Sequence, residues 1–164
     1  HIDRFDDHSV DPLSLHHTIN QAIQLVSLNH SGLKLTYDNQ CDESLYVLGY
    51  SQKLIQVFVN LLSNATDASI QGGKIEILAL AHDNTVKTVI RDYGKGIEES
   101  HLAKIFEPFF TTKAVGEGTG LGLSLTYNII QEHGGSISAC NREDKGCQFE
   151  VSLPRFKPTD KIFN

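Results

Sequence analysis

The stretch KIEILALAHDNTVKTVIR, Lys74 to Arg91, constrains the fold more than any other. Two apolar runs flank His82-Asp83-Asn84, which has the composition of a turn. Ile75, Ile77 and the apolar residues after them form one strand, and Val86 to Ile90 form the returning one. Strands joined by so short a turn run antiparallel. A regular doubly wound fold, with a crossover helix after every strand, is therefore excluded. A second strand pair closes the chain, Ser136 to Ala139 and Gln148 to Leu153, turning at Lys145-Gly146.

Helices separate these pairs. Asp11-Pro12 reads as an N-cap followed by proline at the first helical position. Leu15, Ile19, Ala22, Ile23 and Val26 recur at helical spacing, which predicts a helix over Leu13 to Leu28, broken by Ser31-Gly32. Leu33, Leu35 and Tyr37 alternate as a strand, and Tyr46 to Gly49 is a short second one. A second helix is expected from about Ser51 to Ala68, stopped near Gln71-Gly72-Gly73. A short helix fits Glu98 to Lys104, and a last one runs from near Gly120 to His133, with Gly134-Gly135 as its stop. From Pro154 the chain reads as a polar tail. The expected architecture is α+β: a two-layer sandwich, a mixed sheet of about five main strands with three helices on one face. One domain spans residues 11–155, with a tail over 156–164.

Composition narrows the function. The 164 residues, 40% hydrophobic and 21% charged, suit one soluble domain with a core. The apolar runs are too short to cross a membrane, and no signal-peptide pattern opens the chain. The first residue is His1 rather than Met, so further residues are expected upstream. A net charge of -6 without a dense Lys/Arg cluster argues against nucleic acid as a partner. Cys41, Cys140 and Cys147 lack metal-ligand spacing and read as reduced cytosolic thiols. A disulfide between Cys140 and Cys147, on neighbouring strands, is sterically open but unneeded. The N-terminal histidines invite a metal reading, but adjacent His16 and His17 point to different sides of a helix.

The second helix carries an unusual stripe. At about 100° per residue, Gln56, Asn60, Asn64 and Asp67 fall within an arc of roughly 80°. Leu54, Val57, Phe58, Leu61, Ala65 and Ala68 lie on the other side. Asparagine is a mediocre helix former, because its amide competes for backbone hydrogen bonds. A solvated face is the plain reading of this stripe, although Lys, Glu and Arg are its usual filling. The alternative is a site for a cation already carried by phosphates, such as magnesium, which takes few protein ligands.

Two glycine clusters follow. In VIRDYGKGI, Asp92 stands at a strand end before Gly94 and Gly96. Glycines let the backbone turn and approach a ligand closely. Asp92 is an acceptor suited to an exocyclic amine such as adenine's, and a plain turn explains the pattern equally well. In GEGTGLGLS, Gly116, Gly118, Gly120 and Gly122 alternate and lead into a helix. Such a run presents free N–H groups and the positive dipole end to a phosphate, or it is simply a flexible loop. It matches neither a Walker A loop nor the dinucleotide fingerprint. Between the clusters lies FEPFFTTKAVGEG, too long and irregular for a passive connector. Phe106, Phe109 and Phe110 are expected to anchor it as a lid, with Lys113 reaching a phosphate as a point charge.

Taken in order, QVFVNLLSNATDA, RDYGKGI, FEPFFTTK, GEGTGLGLS and the closing GGSISA…GCQFEVSLP resemble the N box, first glycine box, F box, second glycine box and final strands of the catalytic, ATP-binding domain of sensor histidine kinases, in the GHKL superfamily. The resemblance runs from about Asp11 to Pro154. It implies ATP and magnesium as cofactors, and Asn60 and Asn64 as the catalytic pair. Asn64 would coordinate the metal, and Asn60 would support metal and phosphates. Asp92 would take the adenine amine, in a pocket shaped by Gly94, Gly96 and Ile97. Gly118, Thr119, Gly120, Leu121, Gly122 and Leu123 would face the phosphates, and Phe109, Thr112 and Lys113 would belong to the ATP lid. Asp67 falls where some relatives carry a phosphate-reaching Lys, which leaves Lys53 or Lys113 as substitutes.

The phosphoacceptor motif H-[ED]-x-x-[NT] is missing: His82-Asp83 begins it, but Val86 ends it wrongly. The resemblance therefore implies a kinase half whose partners are its own dimerisation helices, outside this chain, and a downstream response regulator. Residues 1–10 would be a linker or the end of a dimerisation helix. The domain would be cytoplasmic and make no membrane contact itself, in a full-length protein open to membrane anchoring. The rival class, a GHKL-type conformational ATPase, carries a water-activating Glu where this chain has Asn60.

Overall fold

The computed structural model describes residues 9–29, 34–110 and 122–159. Its elements are β1 (Asp11–Ser14), α1 (Leu15–Asn29), β2 (Thr36–Asn39), β3 (Tyr46–Gly49), α2 (Ser51–Ala68), β4 (Lys74–His82), β5 (Thr85–Arg91), α3 (Glu99–Leu102), α4 (Gly122–Glu132), β6 (Ser136–Asn141) and β7 (Cys147–Phe156). The sheet order is β1-β3-β7-β5-β4-β2, with β6 also paired to β7. Only β2 and β4 run parallel; the other pairs are antiparallel. The sheet is mixed, as expected, and it is open; the hairpin of β4 and β5 pairs Ile77 with Ile90 and His82 with Thr85.

Three helices cover one face of this sheet. Helix α2 is the middle one, packed between α1 and α4. Its Leu54, Val57, Phe58, Leu61, Leu62 and Ala65 are buried against Ile75, Ile77, Ile90, Phe149, Val151 and Leu153 of the strands. The alternation of these strand residues puts every second side chain into the core. Opposite them, Lys87 pairs with Glu150 at 3.1 Å and Arg91 Nε donates to Gln148 Oε1 at 2.9 Å, so the outer face is a polar ladder.

The boundaries of β3 and α2 match the expectation. The beginning of the chain corrects it. Asp11-Pro12 is not a helix start but lies in β1, a strand along β3. Proline is tolerated there because β1 is an edge strand. The helix starts at Leu15, and the Ser14 hydroxyl accepts from the His17 backbone N–H at 3.2 Å, the geometry of an N-cap. Pro154 also does not end the last strand. β7 continues to Phe156, so the polar tail begins later than expected. Pairing with β6 ends at Ser152 and pairing with β3 begins at Arg155, so Pro154 sits in the gap between two partners. The missing N–H of proline breaks no ladder bond on that edge.

The cysteines are free, and Cys140 is exposed while Cys147 is buried. The register pairs Cys140 with Gln148, one residue past Cys147, so the two thiols point to opposite faces. Burial pushes the Cys41 and Cys147 thiols up to about 12, which leaves them inert. His16 is structural: its Nδ1 lies 2.7 Å from Cys41 O and its Nε2 3.1 Å from Asn20 Nδ2. Both contacts are satisfied by a neutral ring with the proton on Nδ1.

Candidate functional site

Helix α2 organises the site, because both glycine clusters touch it. At its C-terminal end, Gly94 comes so close that an added Cβ would lie 1.9 Å from Ala68 O. No side chain fits there, and Lys95 N–H donates to the same oxygen at 3.3 Å. Two turns earlier, Asn60 Nδ2 donates to Gly122 O at 3.0 Å and to Thr126 Oγ1 at 3.1 Å. The eight residues between these contacts correspond to roughly 12 Å of helix. The loop after β5 and the start of α4 are thus held at two points along one wall, with the polar stripe between them.

Asp92 is 2% exposed at the first of these points. Its Oδ1 accepts from Gly94 N–H at 2.9 Å and Cys147 N–H at 3.1 Å. Its Oδ2 receives no hydrogen bond from the described residues. Burial raises the carboxyl above its ordinary value, opposed by those two N–H groups and by the Arg142 guanidinium. The turn between β6 and β7 presses on the same residue: a Cβ on Gly146 (φ +90) would lie 2.2 Å from Asp92 O. An anchored carboxylate with one oxygen free of the described residues has an acceptor left for a further donor.

Ile97 is clamped by a residue that the sequence did not flag. Asn141 Oδ1 accepts from Ile97 N–H at 2.8 Å, and Asn141 Nδ2 donates back to Ile97 O at 2.5 Å. Gly96 has φ +77, a conformation that favours glycine. Nothing in the local pattern marks Asn141, since its role arises from a contact across 44 residues of chain.

The two asparagines of the stripe differ. Asn64 Nδ2 donates to Asn60 O at 2.9 Å, and its Oδ1 accepts nothing from the described residues. Asn60 is engaged at both ends of its amide, because Oδ1 also accepts from Gln56 Nε2 at 2.8 Å. Oxygen is the donor atom that magnesium takes, so the Asn64 carbonyl fits such an ion. Among the described residues no cluster of three or more His, Cys, Asp or Glu side chains is arranged to hold a metal. Asp67 is exposed on the last turn. Lys53 pairs with Glu132 at 3.2 Å, about 16 Å along the helix from Asn64.

Of the lid residues, Phe106 packs on Phe149 and Tyr127, with ring centroids 6.3 and 5.9 Å away. Phe110 meets His101 edge-on at 5.3 Å. Phe109 is 75% exposed with φ 68, so it does not anchor the segment as expected. Thr112, Lys113, Gly116, Gly118, Thr119, Gly120 and Leu121 lie outside the described residues. Gly122 and Leu123 open α4. The far end of α4 is tied to α2 as well: the Tyr50 N–H donates to His133 Nε2 at 3.2 Å, while Nδ1 lies 2.8 Å from Ile129 O.

A mixed sheet under three helices, with a buried aspartate and an amide stripe that runs from the Asp92 loop to the first turn of α4, defines a nucleotide-binding domain of the ATPase and kinase superfamily. Residues 49–157 match the model of the histidine kinase-, DNA gyrase B- and HSP90-like ATPase family, and the chain belongs to that family. Within it the similarity is to histidine kinases. The catalytic domain of histidine kinase ThkA superposes with a TM-score of 0.79 and 33% identity, over 90% of this chain and 98% of that one. Sporulation kinase A of Bacillus subtilis is 38% identical over 79% of this chain and 20% of its own length. Sensor histidine kinase ZraS of Escherichia coli is 37% identical over 89% of this chain and 31% of its own length. The chain spans between a fifth and a third of these two relatives. It is a catalytic, ATP-binding domain of the sensor histidine kinase type.

Proposed function

We propose that this domain binds ATP along α2 and donates its γ-phosphoryl group to a histidine on the dimerisation helices of its own full-length protein. In this reading the adenine amine donates to Asp92 Oδ2, and the phosphates lie toward Asn60, Asn64 and the first turn of α4. The helix start favours negative charge there through its dipole and unsatisfied N–H groups. Asn64 would hold magnesium, which when bound offsets charge on the phosphates. The transfer itself forms a P–N bond to the imidazole as the bond to the bridging oxygen breaks and ADP leaves. This chain's contribution is positioning and charge neutralisation rather than covalent chemistry.

The observation that carries the reading is a pair of acceptors that no described residue claims, Asn64 Oδ1 on α2 and Asp92 Oδ2 in the loop held against its C-terminal end. The name of one solved neighbour supports a response regulator as the next partner. Histidine kinase ThkA in complex with response regulator protein TrrA superposes with a TM-score of 0.76 and 30% identity, over 92% of this chain and 43% of that one. No helix among the described residues is long and apolar enough to cross a membrane.

The test uses the full-length protein and ATP labelled at the γ-phosphate. Label is expected on a histidine outside this domain, as acid-labile and alkali-stable phosphate, and it should disappear in Asn64→Ala. Steady ATP hydrolysis with no phosphohistidine would favour the conformational ATPase instead.

A further inference from the structure

Gly122 O receives two side-chain donors. Asn60 Nδ2 reaches it from α2 at 3.0 Å, and Thr126 Oγ1 reaches it from one turn further along α4 at 2.8 Å. Thr126 is fully buried, and its hydroxyl also accepts from Asn60 Nδ2 at 3.1 Å. Gln56 Nε2 completes the chain by donating to Asn60 Oδ1. The result is a closed triangle of Asn60, Gly122 and Thr126, braced from the preceding turn of α2.

We propose that Thr126 is a positioning residue for phosphate binding, acting through the Gly122–Leu123 peptide group. The inference rests on the Mg-ATP reading above. The C=O of Gly122 and the N–H of Leu123 belong to one peptide unit. Donors that polarise the carbonyl make the linked N–H a better donor, because hydrogen bonds in a chain strengthen one another. The N–H groups of a helix's first turn have no intrahelical acceptor and are the groups a phosphate meets. Thr126 thus fixes the orientation of the first turn of α4 against α2 and sharpens the donor aimed at the anion. A threonine bonding back to the i−4 carbonyl is mildly unfavourable in an ordinary helix, so its presence at a buried position one turn into α4 calls for a compensating role.

Thr126→Val removes the hydroxyl at nearly constant shape, and Thr126→Ser retains it. Calorimetry on this chain should show Mg-ATP binding weakened about fivefold in the valine variant, the worth of one hydrogen bond. Adenosine affinity should stay at the parent value, and serine should restore Mg-ATP binding. Without any nucleotide, hydrogen exchange at the first turn of α4 should quicken in valine and not in serine. Parent-like Mg-ATP affinity in Thr126→Val would overturn the proposal, as would an equal loss of adenosine and Mg-ATP binding, or a serine variant as weak as valine. If the parent chain binds no Mg-ATP, the nucleotide reading itself fails. Unaltered exchange in valine would then reject the positioning of α4 separately.

Discussion

The two ends of α2 are built differently. Around Ala68 the neighbours are backbone: Gly94 lies against a carbonyl, and Gly146 lies against Asp92. Around Asn60 the links are side chains, amide to carbonyl and amide to hydroxyl, and a Cβ on Gly122 would lie no nearer to α2 than 3.8 Å, from Asn60 Cγ. Backbone contacts cannot adjust without moving a loop, whereas side-chain amides can rotate or exchange partners. In the proposed binding mode the base end would therefore be a fixed mould, and the phosphate end would be set by side chains, adjustable by single substitutions. That division suits a ligand whose base is constant and whose phosphates are to be transferred.

The largest effect expected from this contrast is at its two glycines. Gly94→Ala should lower stability by about 1–3 kcal/mol, the usual cost of overpacking, with a clear fall in the thermal midpoint. Gly122→Ala meets only ordinary van der Waals distance and should be neutral or gain up to about 1 kcal/mol from helix propensity. Equal losses at both positions would erase the distinction between mould and adjustable end.

Asn141→Ala is the next test, since it removes both hydrogen bonds that clamp Ile97. A loss of about 1–2 kcal/mol in denaturant unfolding is expected from those bonds. A silent substitution would show that the base end is held by its glycines alone.

The pH dependence of Asp92 sharpens the same point. Burial raises its folded-state pKa, so its contribution favours the fold at acid pH and declines as pH rises through the carboxylate range. Asp92→Asn removes that decline. The variant should gain thermal stability relative to the parent as pH rises through the carboxylate range, and the gap should be constant above it. A gap with the opposite slope would mean that the hydrogen bonds, not burial, govern the charge.

The smallest effect belongs to Phe109, which points to solvent. Phe109→Ser should change unfolding free energy by less than about 0.5 kcal/mol, whereas Phe106→Ala, which loses two ring contacts, should cost more.

Much of this was legible from the chain. The amphipathic period of α2 and the turn at His82-Asp83-Asn84 are local signals, and tertiary packing agreed with them. Asp11-Pro12 misled because its local chemistry suits a helix start, while pairing with β3 made it a strand. The Asp92 loop and the asparagine stripe were visible as patterns. The resemblance already separated Asn64 as metal ligand from Asn60 as its support; the hydrogen bonds that occupy both ends of the Asn60 amide were not legible, because they come from residues on two helices. Asn141, Thr126 and His133 act across distances that no window of sequence connects. Composition groups Phe109 with Phe106 and Phe110, and its left-handed backbone (φ 68) and exposure separate it from them.

In the proposed binding mode the nucleotide lies along α2, its base at Asp92 in the loop held against the C-terminal end of the helix and its metal-bound phosphates at Asn64 on the helix itself. Calorimetry of adenosine and of ATP, with and without magnesium, on the parent, Asp92→Asn and Asn64→Ala tests it most directly. Asp92→Asn should lose about tenfold or more for adenosine and ATP alike, the scale of a hydrogen bond to a charged group. Asn64→Ala should keep adenosine binding and lose the part of ATP binding that depends on magnesium. Adenosine binding that survives Asp92→Asn, or a magnesium effect that survives Asn64→Ala, would contradict the account.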